Sequence, residues 1–124
     1  MVVGVSDPDL GPLLCRLLRE DGYDTTLATD GIAIVSLIAR AVPDVLVLDS
    51  NLARLDGLLT IEVVRSIAGQ IPVVLLSGAA GPALRLVTNR LGAVLLRKPF
   101  QNSELLDAVA RECRSRNGEQ GVSR

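Results

Sequence analysis

Histidine and tryptophan are absent from these 124 residues, and lysine occurs once, at Lys98, among 13 basic residues that are otherwise arginine. Without histidine the chain lacks the commonest general base and the commonest transition-metal ligand. It also shows no nucleophile–base pair, which argues against an enzyme. Tyr23 and Phe100 are the only aromatics, so base stacking and aromatic-cage recognition have little support. Cys15 and Cys113 are far apart and sit in apolar helical patterns. They read as small core residues of a reducing compartment, not as a disulfide or metal pair. The formal net charge is −1 with no basic block, which argues against nucleic-acid binding. No apolar stretch approaches the roughly 18–20 residues of a membrane span. A charged leader followed by a long apolar run is also missing, so the expected location is cytoplasmic.

What is present is core-forming material: hydrophobic residues make up 48% of the chain, enough for one domain. Short apolar runs alternate with helical periodicity. Met1–Val5 is a β-branched run. Leu10, Leu13, Leu14, Leu17 and Leu18 follow at helical spacing from a start near Asp7-Pro8. Tyr23–Thr29 reads as a more polar strand near a sheet edge, and Ile34, Val35, Ile38 and Ala39 as a second helix. Val45–Leu48 is continuously apolar, the signature of a strand buried on both faces, and it ends in Asp49. Leu58, Ile61, Val64 and Ile67 mark a third helix. Ile71–Leu76 is another apolar strand, ending at Ser77-Gly78. Gly78-Ala79-Ala80-Gly81 lacks phosphate-loop spacing; it opens a helix with Leu84, Val87 and Leu91. Ala93–Leu96 is a fifth strand. Ser103 is the expected N-cap of a last helix burying Leu105, Leu106, Val109, Ala110 and Cys113. Residues 115–124 read as a flexible polar tail on a domain spanning 1–114.

Five alternating strands and helices predict a parallel sheet covered on both faces. In such sheets the functional crevice lies at the carboxyl ends of the strands. Ser6 and Asp7 are placed there, with Asp49, Ser77 and Lys98. A carboxylate can attack phosphorus and form an acyl phosphate. An ammonium can offset the phosphoryl charge, and a hydroxyl can donate to its oxygens. Lysine suits that task as a compact point charge, where arginine presents a wide planar fork.

Read in order, Asp7-Pro8-Asp9-Leu10, Glu20-Asp21-Gly22-Tyr23, Asp30-Gly31, Pro43 to Asp49, Leu55-Asp56-Gly57, Ile71 to Gly78, Leu91-Gly92-Ala93 and Lys98-Pro99-Phe100 resemble the CheY-like receiver domain of two-component response regulators. The resemblance covers about residues 1–114. It implies a single-domain flavodoxin-like (βα)5 doubly wound parallel sheet with strand order 2-1-3-4-5. It makes Asp49 the phosphoacceptor, Ser77 the switch hydroxyl and Lys98 the lysine contacting the acceptor, with a cis Lys98-Pro99 bond. It implies Mg²⁺ as cofactor, with Asp49 and the Asn51 carbonyl as ligands; outside the family pattern, Asp7 is a weak further ligand if its turn shifts. A sensor histidine kinase or phosphotransfer protein would be the donor. The face of helix four, strand five and helix five would meet partners, a second copy of the chain among them.

The chain also departs from the family pattern. Val5 and Ser6 occupy the positions of the family's acidic pair, while Asp7 falls one residue later, where it reads as a helix cap. Mg²⁺ generally needs one or two carboxylates, so binding is expected to be weak. Leu95 stands where an aromatic is common and reads as core packing. Ala53 replaces a common proline, and Arg54 reads as a solvated loop residue. These departures keep an alternative open: a pseudo-receiver used for protein interaction or dimerisation without phosphorylation.

Overall fold

A computed structural model describes residues 1–78 and 81–122, with side chains described as far as residue 114. Ala79 and Ala80, in the turn expected to open the fourth helix, and the last two residues of the expected tail lie outside the described residues.

The elements alternate as β1 (Val2–Gly4), α1 (Leu10–Glu20), β2 (Thr26–Ala28), α2 (Gly31–Arg40), β3 (Leu46–Asp49), α3 (Gly57–Ala68), β4 (Val73–Ser77), α4 (Pro82–Arg90), β5 (Ala93–Arg97) and α5 (Asn102–Val122). All strand pairs are parallel, and the order is β2-β1-β3-β4-β5. This is the flavodoxin-like doubly wound sheet that the apolar pattern and the resemblance together predict.

The sheet divides two hydrophobic clusters, which explains why β3 and β4 are apolar at nearly every position. Leu46, Leu48, Val73 and Leu75 face Ile34 and Ile38 of α2 and Ile61 and Val64 of α3. Val45, Val47, Val74 and Leu76 face Leu14, Cys15 and Leu18 of α1 and Leu105 and Val109 of α5. Each residue of β3 and β4 is buried because a helix lies over both sides of the pleat. The polar β2 lies at the edge of the sheet, as expected, but is shorter than the sequence suggests. Tyr23 belongs to the turn closing α1, its N–H donating to the Leu18 carbonyl.

Two expectations for the last helix are corrected. Ser103 is not its cap: α5 begins at Asn102. The Gln101 N–H donates to Glu104 Oε1 at 2.9 Å, and the Glu104 N–H donates back to the Gln101 carbonyl. The glutamate thus supplies the reaching-back half of a capping box closed on Gln101, two residues before Ser103. The helix also continues to Val122, so residues 115–122 are helical backbone where the sequence reading places a polar tail.

Arg65 fastens the amino edge of the sheet. From the last turn of α3 its guanidinium donates to the carbonyls of Leu91 (2.8 Å), Gly69 (3.1 Å), Ile71 (2.5 Å) and Gly92 (3.2 Å). Its partial burial lowers its pKa, and the charge of Glu112 opposes that shift.

Candidate functional site

Asp49, Ser77 and Lys98 sit at the carboxyl ends of β3, β4 and β5. Asp49 is the last residue of β3 and Ser77 the last of β4, while Lys98 follows β5 directly. The register sets Asp49 opposite Leu76 and Ser77 opposite Arg97. Asp49 is 4% exposed and Ser77 2%. The Lys98 N–H donates to the Ser77 carbonyl at 2.8 Å, which carries the chain back over the strand ends. From there the ammonium donates to Asp49 Oδ2 at 2.5 Å. The other carboxylate oxygen, Oδ1, accepts the Asn51 N–H at 3.0 Å. The Lys98-Pro99 bond is cis.

Gly57 lets α3 start against this carboxylate. A Cβ there would lie 2.6 Å from Ser50 Cα and 2.8 Å from the Asp49 carbonyl oxygen, so only glycine fits. Asp56 caps the helix, its Oδ1 accepting the Leu59 N–H at 3.0 Å.

Other residues singled out from the sequence do not converge on Asp49. Asp7 Oδ1 accepts the N–H groups of Asp9 (2.8 Å) and Leu10 (3.2 Å), so this carboxylate opens α1. Those two amides hold its pKa below the usual 3.8, with a smaller contribution from the charge of Lys98. The Asn51 side is exposed, and its N–H is what meets Asp49. Leu95 is half-buried against the α2–α3 cluster, consistent with core packing. Arg54 is solvated as expected, its side chain 66% exposed; with φ of 70°, its Nη1 lies 3.6 Å from Asp30 Oδ2. Asp30 itself caps α2 through the Ala33 N–H at 2.8 Å.

Sequence reasoning missed what Ser6 does. Its hydroxyl donates to the Thr29 carbonyl at 2.6 Å and accepts the Ala53 N–H at 2.9 Å. It thereby joins the end of β1 to the segment after β2 and to the loop after β3. The Gly31 N–H adds a further bond to the Ala53 carbonyl. Neither Ser6 partner is near in sequence, so no local pattern signals the joint. Among the described residues no group of three or more His, Cys, Asp or Glu is arranged to hold a metal ion.

A buried carboxylate held by an ammonium at the strand ends of a 2-1-3-4-5 parallel sheet defines a class: doubly wound α/β domains whose polar site is assembled by strand-end residues. The family model of the response regulator receiver domain matches residues 6–110. The chain belongs to that family. It is 38% identical over 97 residues to the response regulator MprA of Mycobacterium leprae, covering 77% of this chain and 42% of that protein. The MprA of Mycobacterium avium is likewise 38% identical over 94 residues, covering 75% and 41%. The chain therefore spans about two-fifths of the length of these curated relatives. Among solved structures, the receiver domain of NtrX from Brucella abortus superposes with a TM-score of 0.84 at 27% identity, covering 91% of this chain and 97% of that one. The receiver domain of the Francisella response regulator 1452 gives 0.86 at 28% identity, covering 92% and 95%.

Proposed function

We propose that this receiver domain accepts a phosphoryl group on Asp49 and relays the change to a protein partner. The observation that carries the reading is the ion pair between Lys98 and the buried Asp49 carboxylate. In the proposed step an Asp49 oxygen attacks the phosphorus of a phosphohistidine on a sensor kinase or phosphotransfer protein. The oxygen–phosphorus bond forms as the phosphorus–nitrogen bond breaks, and the imidazole leaves with the electron pair. The Lys98 ammonium offsets charge on the transferred group, and the Ser77 hydroxyl donates to one of its oxygens. In this role the domain is a signalling module and not an enzyme, working in the cytoplasm where such a donor would meet it. No helix of the described residues is long and apolar enough to cross a membrane.

The partner surface we assign is α4, β5 and α5, because Ser77 leads into α4 and Lys98 closes β5. Leu86 and Val87 of α4 are exposed there, available to a target or to a second copy of the chain. A second reading, a pseudo-receiver that binds partners without phosphorylation, is favoured by one observation: the Ser6 hydroxyl is bound to Thr29 and Ala53. Incubation with acetyl phosphate or a phosphorylated donor kinase, followed by intact-protein mass spectrometry, separates the two. The acceptor reading expects the mass gain of one phosphoryl group, lost in Asp49→Asn. No gain with either donor would leave the pseudo-receiver reading.

A further inference from the structure

The receiver family implies Mg²⁺ beside the acceptor, and the residues of this chain can be tested against that ion. Mg²⁺ requires near-octahedral oxygen ligands and usually one or two carboxylates. At the first of the two positions where the family carries acids, Val5 is fully buried and offers no side-chain oxygen. At the second, the Ser6 hydroxyl donates at 2.6 Å and accepts at 2.9 Å within the protein. The next acid, Asp7, accepts two amides of its own turn. Among the described residues, Asp49 is the strand-end carboxylate outside a helix-opening turn, with one oxygen on the Asn51 amide and the other on the Lys98 ammonium.

We propose that this corner of the crevice is closed to divalent cations, with Ser6 as a positioning residue that fixes the loop after β3 and Lys98 as the counter-charge of Asp49. The hydroxyl replaces an ionic link with two hydrogen bonds. Where an acid would share an ion with Asp49, Ser6 ties β1 to Thr29 and Ala53 directly. Asp49 is then paired with a cation that belongs to the chain. An ion entering would have to displace Lys98 and would find a single carboxylate to bind. Hard oxygen sites of that kind hold Mg²⁺ poorly.

The inference deepens the receiver reading, and a metal titration answers it whether or not Asp49 accepts phosphate. Mn²⁺ is a paramagnetic probe that favours the same hard oxygen donors as Mg²⁺. In the intact protein, titration through the millimolar range is expected to leave the amide resonances of Asn51 and Leu52 without saturable broadening. Ser6→Asp places a second carboxylate at the corner and is expected to gain saturable broadening there, with affinity at least about tenfold above that of the intact chain. Saturable broadening at Asn51 in the unsubstituted protein overturns the proposal, and so does a folded Ser6→Asp that gains nothing. If Ser6→Asp does not fold, the unsubstituted protein still decides it.

Discussion

At the residue scale, Lys98 and Asp49 differ in what each leaves behind. Asp49 is 6% exposed at its side chain and Lys98 31%. Removing the lysine strands a carboxylate away from water with one amide for company. Removing the acid leaves an ammonium whose flexible stem can swing outward. Breaking an ion pair from the exposed side is the costlier direction, because the uncompensated charge stays buried. Lys98→Met is therefore expected to destabilise the fold by about 1–3 kcal/mol. Asp49→Asn, which keeps the shape and an acceptor for the Asn51 N–H, should cost well under half of that. Urea unfolding of the two single variants and the double variant measures both the asymmetry and the coupling. Equal costs would mean that Asp49 is better hydrated than its burial indicates. The position of this pair was legible in the sequence, since an apolar run ending in Asp and another ending in Lys both report on strand ends. Ser6 was not legible, because a hydroxyl that bonds residues 23 and 47 positions away leaves no local trace.

At the element scale, the crevice depends on where α3 begins. The helix starts one residue after Asp56, whose side chain caps it, and the Gly57 N–H donates to the Ser50 carbonyl. Alanine is a better helix former than glycine by about 1 kcal/mol. At Gly57 that gain meets backbone atoms at 2.6 and 2.8 Å, which cannot rotate away as a side chain could. Overpacking of this kind typically costs about 1–3 kcal/mol, so the clash decides the sign and Gly57→Ala should lower the urea midpoint. The Asn51 amide should shift at the same time in a heteronuclear spectrum, because its bond to Asp49 lies beside the displaced turn. Asp-Gly at this point reads from sequence as a helix start, which is correct, but the closeness of Ser50 is a tertiary fact. The same limit explains Ser103 and the length of α5. A hydroxyl before an apolar run is a reasonable cap, yet Gln101 and Glu104 close the turn sooner. Polar composition after residue 114 does not exclude a helical backbone, and α5 runs to Val122.

At the scale of the whole molecule, packing is unequal around the sheet. The helices α1, α2 and α3 each seat several buried residues against a face, whereas α4 buries only Thr88. Even that side chain turns inward on its own helix, its hydroxyl donating to the carbonyls of Leu84 and Arg85, both at 3.0 Å. Such back-bonding slightly destabilises a helix, and Leu86 and Val87 remain exposed. Local opening is easiest where few apolar contacts must break. The amides of α4 are therefore expected to exchange with deuterium at least about tenfold faster than those in the middle of α1 and α3. Equal protection would show that α4 gains stability from contacts other than burial. For the proposed relay the position matters: Ser77 ends the strand that leads into α4, and β5, which ends at Arg97 just before Lys98, packs against that helix. The pair at Asp49 is thus linked through β5 to the helix with the fewest buried residues, so in the proposed relay a small rearrangement at the strand ends would be felt first where α4 exposes its apolar residues.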